Sequence, residues 1–511
     1  MWIRNILFAI LTVFLFSSVA TAATPTVTNT SRFDSGFNDW IYDAAIDKNG
    51  NTYVTGTVVD YTTGNIDMVT IKYAPDLSII FQDVYNSNGT DRDEGYTMTV
   101  DSNGIAYVTG YANNLSALYR YSANGSQKWI LNKPGFSIHD AAVDSLNNIY
   151  ITSTDLTTYT DHYISKYNFN STTGNFVEIW TQPIPGTNFV TASNHSWFDA
   201  NNNAYIGAYT PTGIEILKYD ANGSSPASIL LSQLSNITEF LVEPSGTIYV
   251  IANAAYSSFE IVKIDNMGST LWNITDTSGR CNITGNSHAN LIATDASGNA
   301  FLGGRENASR GFCIIKYNGA SGTEEWLNAY TRGVSEVFYD LAIDSNNNVY
   351  ITGNSRNSTG SDDFLTVKYS PNGMQEWVMV YDDGTENWVP MINISSNNNI
   401  YISGYSCDYS NGENCDITTV KYSQGPATIA DIIAIVNEML ADGRIIKASK
   451  ANVIIQLLNN AQNNITSGNI SGATGQLNST INFIQAQSGK SIDTDAANEL
   501  ISYINNILLG F

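Results

Sequence analysis

The stretch Asp344-Ser-Asn-Asn-Asn-Val-Tyr350-Ile-Thr-Gly353, followed by Phe364-Leu-Thr-Val-Lys-Tyr369, is the clearest copy of a pattern that recurs along the chain. An acidic residue precedes a turn rich in Asn or Gly, an aromatic residue follows in one strand, and a second strand ends in Lys-Tyr. The first copy runs from Asp47 to Tyr73. Asn and Gly tolerate positive φ, which a tight hairpin needs, so the pattern predicts antiparallel hairpins.

The aromatic residue and the basic residue of this pattern recur together in eight copies. The aromatic anchors are Tyr53, Tyr107, Tyr150, Tyr205, Tyr249, Phe301, Tyr350 and Tyr401. The basic partners are Lys72, Arg120, Lys166, Lys218, Lys263, Lys316, Lys368 and Lys421. The spacing of about 50 residues is typical of propeller blades. Each unit divides into four strands, A to D, so we predict an all-β propeller of eight four-stranded blades over residues 24–424.

The two ends of this region predict how the ring closes. The eighth unit stops at Lys421-Tyr422 without a strand D, whereas an extra strand, Val27 to Phe33, precedes the first unit. The stretch Phe33-Asp-Ser-Gly-Phe-Asn-Asp-Trp40 also mirrors Tyr381-Asp-Asp-Gly-Thr-Glu-Asn-Trp388, which links two successive units. We therefore expect the N-terminal strand to complete the last blade.

The repeats resemble the SBBP β-propeller repeat family. The match is carried by Asp43-Ala-Ala-Ile-Asp47 with Gly50-Asn51 and Tyr53-Val-Thr-Gly56, and again by Asp340 to Gly353. It covers roughly residues 36–424. The family name implies seven blades, whereas the markers number eight units. The resemblance implies an exported or surface protein, and it implies no activity.

Residues 1–22 are predicted to be a signal peptide. Arg4 precedes an apolar run from Ile6 to Phe16, and Ala20-Thr21-Ala22 has the small residues of a cleavage site. The run is too short for a membrane anchor. We therefore expect a secreted protein, extracellular or on the cell surface.

Export makes disulfides the expected state of the four cysteines. Cys407 and Cys415 flank a polar loop, which leaves Cys281 to pair with Cys313, although three connectivities are possible in principle. A metal site is the weaker interpretation, because the cysteines lack metal-ligand spacing.

After a linker at residues 425–428 the pattern becomes helical, with Ile429, Ile432, Ile433, Val436 and Leu440 on one face. Residues 429–511 are predicted to form a small domain of four helices. It resembles the FIMAH domain, most clearly in the stretch Ala486-Gln-Ser-Gly-Lys-Ser-Ile492. The resemblance implies an accessory attachment unit. The alternative is a helical cap that stabilises the propeller.

One set of residues is a candidate ligand site. The positions ten residues before the anchors should face one end of the central channel, and five of the eight are titratable: Asp43, Asp140, His195, Glu239 and Asp340. They could hold Ca²⁺ or a basic group of a ligand. Ca²⁺ is the one cofactor that we consider. The structural alternative, which we favour, is that such carboxylates accept backbone hydrogen bonds from the next blade. The acidic residues of the turns, such as Asp47 and Asp344, are expected to form Asx turns rather than metal sites.

The net charge and the absence of common catalytic motifs exclude several classes of function. A net charge of −24 over 511 residues disfavours nucleic acid and anionic membranes as partners, and we expect no membrane insertion of the mature chain. No nucleophile elbow, HExxH or phosphate loop is present. We expect non-catalytic recognition of an extracellular protein or glycan. The alternatives are a polysaccharide-degrading enzyme with a carboxylate pair in the propeller pocket, and a structural surface-layer component.

Overall fold

The fold is taken from a computed structural model of the chain. The described residues are 25–87, 92–113, 115–191, 197–211, 213–224, 226–231, 234, 236–255, 258–283, 290–332, 335–357, 360–409, 414–423, 429–441 and 444–509. The predicted signal peptide and the predicted linker lie outside these residues.

The first strand, β1, spans Thr26–Phe33 and is followed by the first four blades. Blade 1 contains β2 (Asn38–Ile46), β3 (Thr52–Asp60), β4 (Asn65–Tyr73) and β5 (Ile79–Tyr85). Blade 2 contains β6 (Glu94–Val100), β7 (Ala106–Ala112), β8 (Leu115–Tyr121) and β9 (Lys128–Asn132). Blade 3 contains β10 (Phe136–Val143), β11 (Ile149–Asp155), β12 (His162–Asn170) and β13 (Asn175–Ile184). Blade 4 contains β14 (Asn188–Val190), β15 (Ala204–Thr210), β16 (Gly213–Tyr219) and β17 (Ala227–Leu231).

The second half of the ring repeats this plan. Blade 5 contains β18 (Ile237–Val242), β19 (Ile248–Ala255), β20 (Ser258–Ile264) and β21 (Thr270–Asp276). Blade 6 contains β22 (Cys281–Asn282), β23 (Ile292–Thr294), β24 (Ala300–Glu306), β25 (Phe312–Tyr317) and β26 (Glu324–Tyr330). Blade 7 contains β27 (Ser335–Ile343), β28 (Val349–Arg356), β29 (Asp362–Tyr369) and β30 (Gln375–Tyr381). Blade 8 contains β31 (Glu386–Ile394), β32 (Ile400–Asp408) and β33 (Asn414–Ser423).

The strand pairing confirms the eight-bladed propeller and its closure. Blades 1 to 7 are antiparallel sheets in chain order, except that β22 and β23 share the first position in blade 6. The first strands of successive blades pack together, as β2 does with β6 and β27 with β31, so strand A lies innermost. In blade 8 the order is β1-β33-β32-β31, which makes the N-terminal strand its outermost strand. The ring closes where β2 packs against β31, β32 and β33.

The two sequence markers stand opposite each other in the sheet. Tyr53 pairs with Lys72 across strands B and C, and Tyr350 pairs in the same way with Lys368. In every blade the basic side chain lies over the ring of its own anchor, at 4.8 Å from the centroid in blade 1 and 5.8 Å in blade 2. The cation–π contact explains why the aromatic and basic positions recur together.

The same basic residue also joins one blade to the next. Lys72 Nζ donates to the carbonyl of Ala123 in the C–D turn of blade 2, at 2.8 Å. Lys166, Lys263 and Lys316 make the same hydrogen bond to the next blade, and so does Lys421 of blade 8, which donates to the carbonyl of Pro75 in blade 1 at 2.9 Å. Burial lowers the pKa of Lys72, and the nearby carboxylate of Asp47 opposes this effect. Each of these five ammonium groups is therefore held by its own blade and its neighbour.

The turn acids adopt the predicted hydrogen bonds. Asp47 Oδ1 accepts from the backbone N–H groups of Asn49 and Asn51, which defines an Asx turn. Its Oδ2 accepts from the hydroxyl of Tyr53 at 3.0 Å. Asp344 and Tyr350 repeat this arrangement in blade 7, at 2.8 Å. The turn acid thus fixes the anchor ring over which the basic side chain lies.

Both predicted disulfides are confirmed. Cys407 and Cys415 face each other across β32 and β33 and join the B–C hairpin of blade 8. Cys281 and Cys313 join β22 to β25, across the intervening strand of blade 6. In that blade strand A is divided into two short pieces, so the covalent bond holds the first piece in the sheet.

Four helices follow the propeller in the described part of the chain. They are α1 (Ile429–Ala441), α2 (Ala448–Thr466), α3 (Ile470–Gln487) and α4 (Thr494–Leu509). Their core contains Ile432, Val436, Leu458, Leu477 and Leu500, in keeping with the amphipathic spacing. None of the helices described is long and apolar enough to cross a membrane.

The closing strand should carry much of the ring's stability. Phe33, at the end of β1, is buried against Ile41, Met391 and Ile417 from blades 1 and 8. We expect deletion of residues 24–36 to lower the melting temperature by about 10 °C or more, because a full strand and this apolar seal are lost. The measurement is thermal unfolding followed by circular dichroism.

A synthetic peptide of residues 24–36, added in excess to the truncated chain, should restore part of the lost stability. A scrambled peptide of the same composition is the control. An unchanged melting temperature after the deletion would contradict a structural role for the closing strand.

Candidate functional site

The predicted channel residues lie at a shared irregularity of the innermost strands. The register of strand A shifts at Asp43, Asp140, Glu239 and Asp340, where one extra residue is inserted. Such a β-bulge redirects the side chains next to it. His195, the fifth candidate, lies outside the described residues.

The carboxylates at these bulges reach the next blade. Asp43 Oδ2 accepts from the backbone N–H of Met98 in blade 2 at 2.6 Å. Glu239 Oε2 accepts from the backbone N–H of Leu291 in blade 6 at 2.8 Å. Asp140 Oδ2 accepts from the hydroxyl of Thr191 at 2.9 Å.

Asp340 is the most enclosed of these residues. Its Oδ2 accepts from the backbone N–H of Ile392 in blade 8 at 2.9 Å, and its Oδ1 accepts from Leu341 N and Asn290 Nδ2. Burial raises the pKa of the Asp340 carboxyl to about 7, although these hydrogen bonds oppose the effect. The contacts are those of the structural alternative, in which the carboxylates join blades. Binding of a cation by this set stays a prediction.

A pocket lies on the outer part of the ring, away from the innermost strands, where the last blade meets the first. No sequence pattern predicts it. Its cavity volume is about 360 Å³. It is lined by the loop between β1 and β2, by the β3–β4 hairpin and by β5; the lining residues are Phe33, Asp34, Ser35, Phe37, Val58, Asp60, Asn65, Asp67, Gln82 and Val84. We call it the seam pocket.

The seam pocket combines an exposed aromatic ring with carboxylates. Phe37 is 43% exposed at its edge. Hydrogen bonds from Thr62 and Thr63 lower the pKa of Asp60 to about 2, so this carboxylate is ionised at any physiological pH. Burial raises the pKa of Asp67, against a hydrogen bond from Asn65 at 2.8 Å. The pocket therefore suits a ligand with positive charge and an apolar or sugar face.

One carboxylate of this pocket, Asp34, also meets two further carboxylates in a group that we call the seam cluster. One oxygen each from Asp34, Asp39 and Asp416 lie within 4.8 Å of one another. Asp34 and Asp39 belong to the loop and strand that follow β1, whereas Asp416 comes from strand C of blade 8. In the sequence the segment Phe33 to Trp40 indicates ring closure, whereas its acids form no recognisable pattern there. Only their meeting with Asp416, almost 380 residues away, makes them a group.

The raised pKa of the buried Asp340 carboxyl should make the free energy of unfolding depend on pH. The folded chain keeps a proton on Asp340 at pH values where the unfolded chain, with a pKa of about 4, has lost it. Stability should therefore fall as the pH rises from about 4 to 7. We expect Asp340→Asn to flatten the curve of unfolding free energy in this window, measured by urea unfolding.

The matched control is Asp382→Asn, which removes an exposed carboxylate of the propeller rim. It should leave the slope of the curve unchanged. Parallel curves for the wild type and Asp340→Asn would contradict the raised pKa.

No family model matches the chain, and no curated protein matches it. Among solved structures, the Dos1 propeller is 12% identical with a TM-score of 0.49, over 78% of this chain and 95% of that one. The WD40 domain of SCAP from fission yeast is 9% identical with a TM-score of 0.48, over 78% and 95%. The quinohemoprotein alcohol dehydrogenase from Comamonas testosteroni is 10% identical with a TM-score of 0.48, over 79% and 77%. Such values say nothing of activity, and the propeller architecture rests on the strand pairing above.

Proposed function

We propose that this chain is a secreted, non-catalytic binding protein that recognises an extracellular protein or glycan through loops on one face of the propeller. The observation that carries the proposal is the seam pocket, which is open, aromatic at its edge and lined by Asp34, Asp60 and Asp67. Rigid aromatic rings give contact area at low entropic cost, and carboxylates add directional hydrogen bonds.

The charge of the chain favours a partner with basic groups. The net charge of −24 attracts cationic surfaces over a distance and repels anionic ones. Within the pocket Asp60 stays ionised, so it can pair with an ammonium or guanidinium group at neutral pH. A peptide segment with Lys or Arg residues is the ligand that best fits both features.

The inner carboxylates support binding over hydrolysis. A glycoside hydrolase needs a pair of carboxyl groups that face a substrate cavity. Asp43, Glu239 and Asp340 instead accept hydrogen bonds from the adjoining blade, so these oxygens are used to hold the ring together.

Export and attachment complete the proposal. The two disulfides suit an oxidising compartment, which agrees with the signal peptide that residues 1–22 resemble. We further propose that the repeats are of the SBBP type and that α1 to α4 form a FIMAH-like accessory module. In this arrangement the propeller supplies recognition, and the helices attach the protein to its surroundings.

Binding arrays should test the proposal with two variants of the pocket. We expect the mature chain to bind members of a basic-peptide and glycan array, and Phe37→Ala or Asp60→Asn to weaken that binding by about tenfold each. The matched control is Met267→Ala, since Met267 is 81% exposed in a C–D turn on the opposite face.

A reducing-sugar release assay on the same glycans separates binding from catalysis. Release of sugar by the wild type would contradict a non-catalytic role. Equal loss of binding in Met267→Ala and Phe37→Ala would contradict the seam pocket as the recognition site.

A further inference from the structure

The seam cluster has the dimensions of a cation site. Its three carboxylate oxygens lie within 4.8 Å of one another. Ca²⁺ binds oxygen ligands at about 2.3–2.6 Å, so two ligands on opposite sides of one ion are up to about 5 Å apart. Asp34, Asp39 and Asp416 are therefore close enough to share one ion with only small side-chain adjustments.

One oxygen of this cluster lacks a partner. Asp39 accepts from Ser35 with both oxygens, from the backbone N–H at 2.8 Å and from the hydroxyl at 2.6 Å. Asp416 Oδ2 accepts from Arg32 Nε, whereas Asp416 Oδ1 is buried and has no hydrogen-bond partner among the described residues. Asp416 is only 2% exposed. A buried carboxylate oxygen without a partner costs free energy unless a cation reaches it.

The local charges are also unbalanced. Arg32 is the basic residue of the group, and its guanidinium lies near Asp416 and 3.7 Å from Asp383. Asp34 and Asp39 lie close to Asp416 as well, so the carboxylates of this group outnumber the one guanidinium that these contacts include. A divalent ion bound between these carboxylates would balance their charge.

The neighbouring junction differs from the seam in its central residue. In the loop between blades 7 and 8, Asp382 occupies the position of Asp34, and Asn387 occupies the position of Asp39. Asp363 there corresponds to Asp416: it pairs with Arg332 at 3.0 Å, and its Oδ1 likewise has no hydrogen-bond partner among the described residues. An amide thus replaces the central carboxylate, and among the described residues the seam cluster is the acidic group with metal-binding geometry.

We propose that Ca²⁺ binds at the seam between blades 8 and 1, held by the carboxylates of Asp34, Asp39 and Asp416. The ion would join the loop after β1 to strand C of blade 8, next to the Cys407–Cys415 disulfide. It would therefore lock the closing strand. Ca²⁺ fits better than Mg²⁺, which demands octahedral geometry and usually retains several waters. The proposal goes beyond the recognition function. Its test needs only the metal ion and not the protein or glycan partner.

The experiment compares the EDTA-treated full-length mature chain with Asp39→Asn, Asp34→Asn and the control Asp382→Asn. Calorimetry with CaCl₂ at a pH of about 7.5 should give one site for the wild type, with Kd at or below about 1 mM. Asp39→Asn and Asp34→Asn should weaken binding by about tenfold or more, whereas Asp382→Asn should bind as the wild type does. Ca²⁺ should raise the melting temperature and slow hydrogen exchange in residues 26–33.

A second measurement separates loss of the site from misfolding. Without Ca²⁺, Asp39→Asn should melt at the wild-type temperature or above it, because the substitution removes a repelling charge, and Ca²⁺ should no longer raise that temperature. Protons compete for the same oxygens, so wild-type affinity should fall as the pH falls from about 7.5 to 5.5. No heat of binding and no shift in melting temperature at about 10 mM Ca²⁺ would overturn the proposal. Unchanged affinity in Asp39→Asn, or equal affinity for Mg²⁺, would overturn it as well.

Discussion

A basic side chain that lies over an aromatic ring, and donates a hydrogen bond to the next blade, is the interaction on which the whole ring depends. The ring belongs to strand B and the basic group to strand C of one blade, so the contact fixes their register. The hydrogen bond to the following C–D turn then fixes the angle to the next blade. Lys421 donates to Pro75 in the same way, so the last blade is joined to the first by a hydrogen bond that also occurs at four other junctions.

The small number of charged residues, and their positions, limit where recognition can take place. The chain has few charged residues, and many of them are buried in repeated contacts between blades. The inner acids Asp43, Glu239 and Asp340 each accept a backbone hydrogen bond from the adjoining blade, so they help to hold the ring together. The seam differs, because its loop carries acids that the repeat does not require. An unequal junction in an otherwise repetitive ring is therefore the natural place for a site.

Much of the fold could be predicted because it depends on local, periodic features. The anchors and basic partners, the Asx turns and the missing eighth strand D are all visible as spacing, and the strand pairing agrees with each of them. The disulfide between Cys407 and Cys415 followed from a short loop. The inner carboxylates were placed at the right strand, but the bulge that turns Asp340 towards Ile392 has no signature in the sequence. Its direction depends on how two strands slip by one residue.

The amino-acid sequence by itself determined the repeat, the number of blades, the closure by the N-terminal strand and the helical character of the last residues. These depend on hydrophobic and turn patterns that act over a few residues and recur. Only the tertiary structure decided that Asp34 and Asp39 meet Asp416, that Asp416 Oδ1 has no partner within the described part of the chain, and that Phe37 borders an open pocket. Those facts arise where the two ends of the propeller meet, and no local pattern encodes the distance between residues that far apart in the chain.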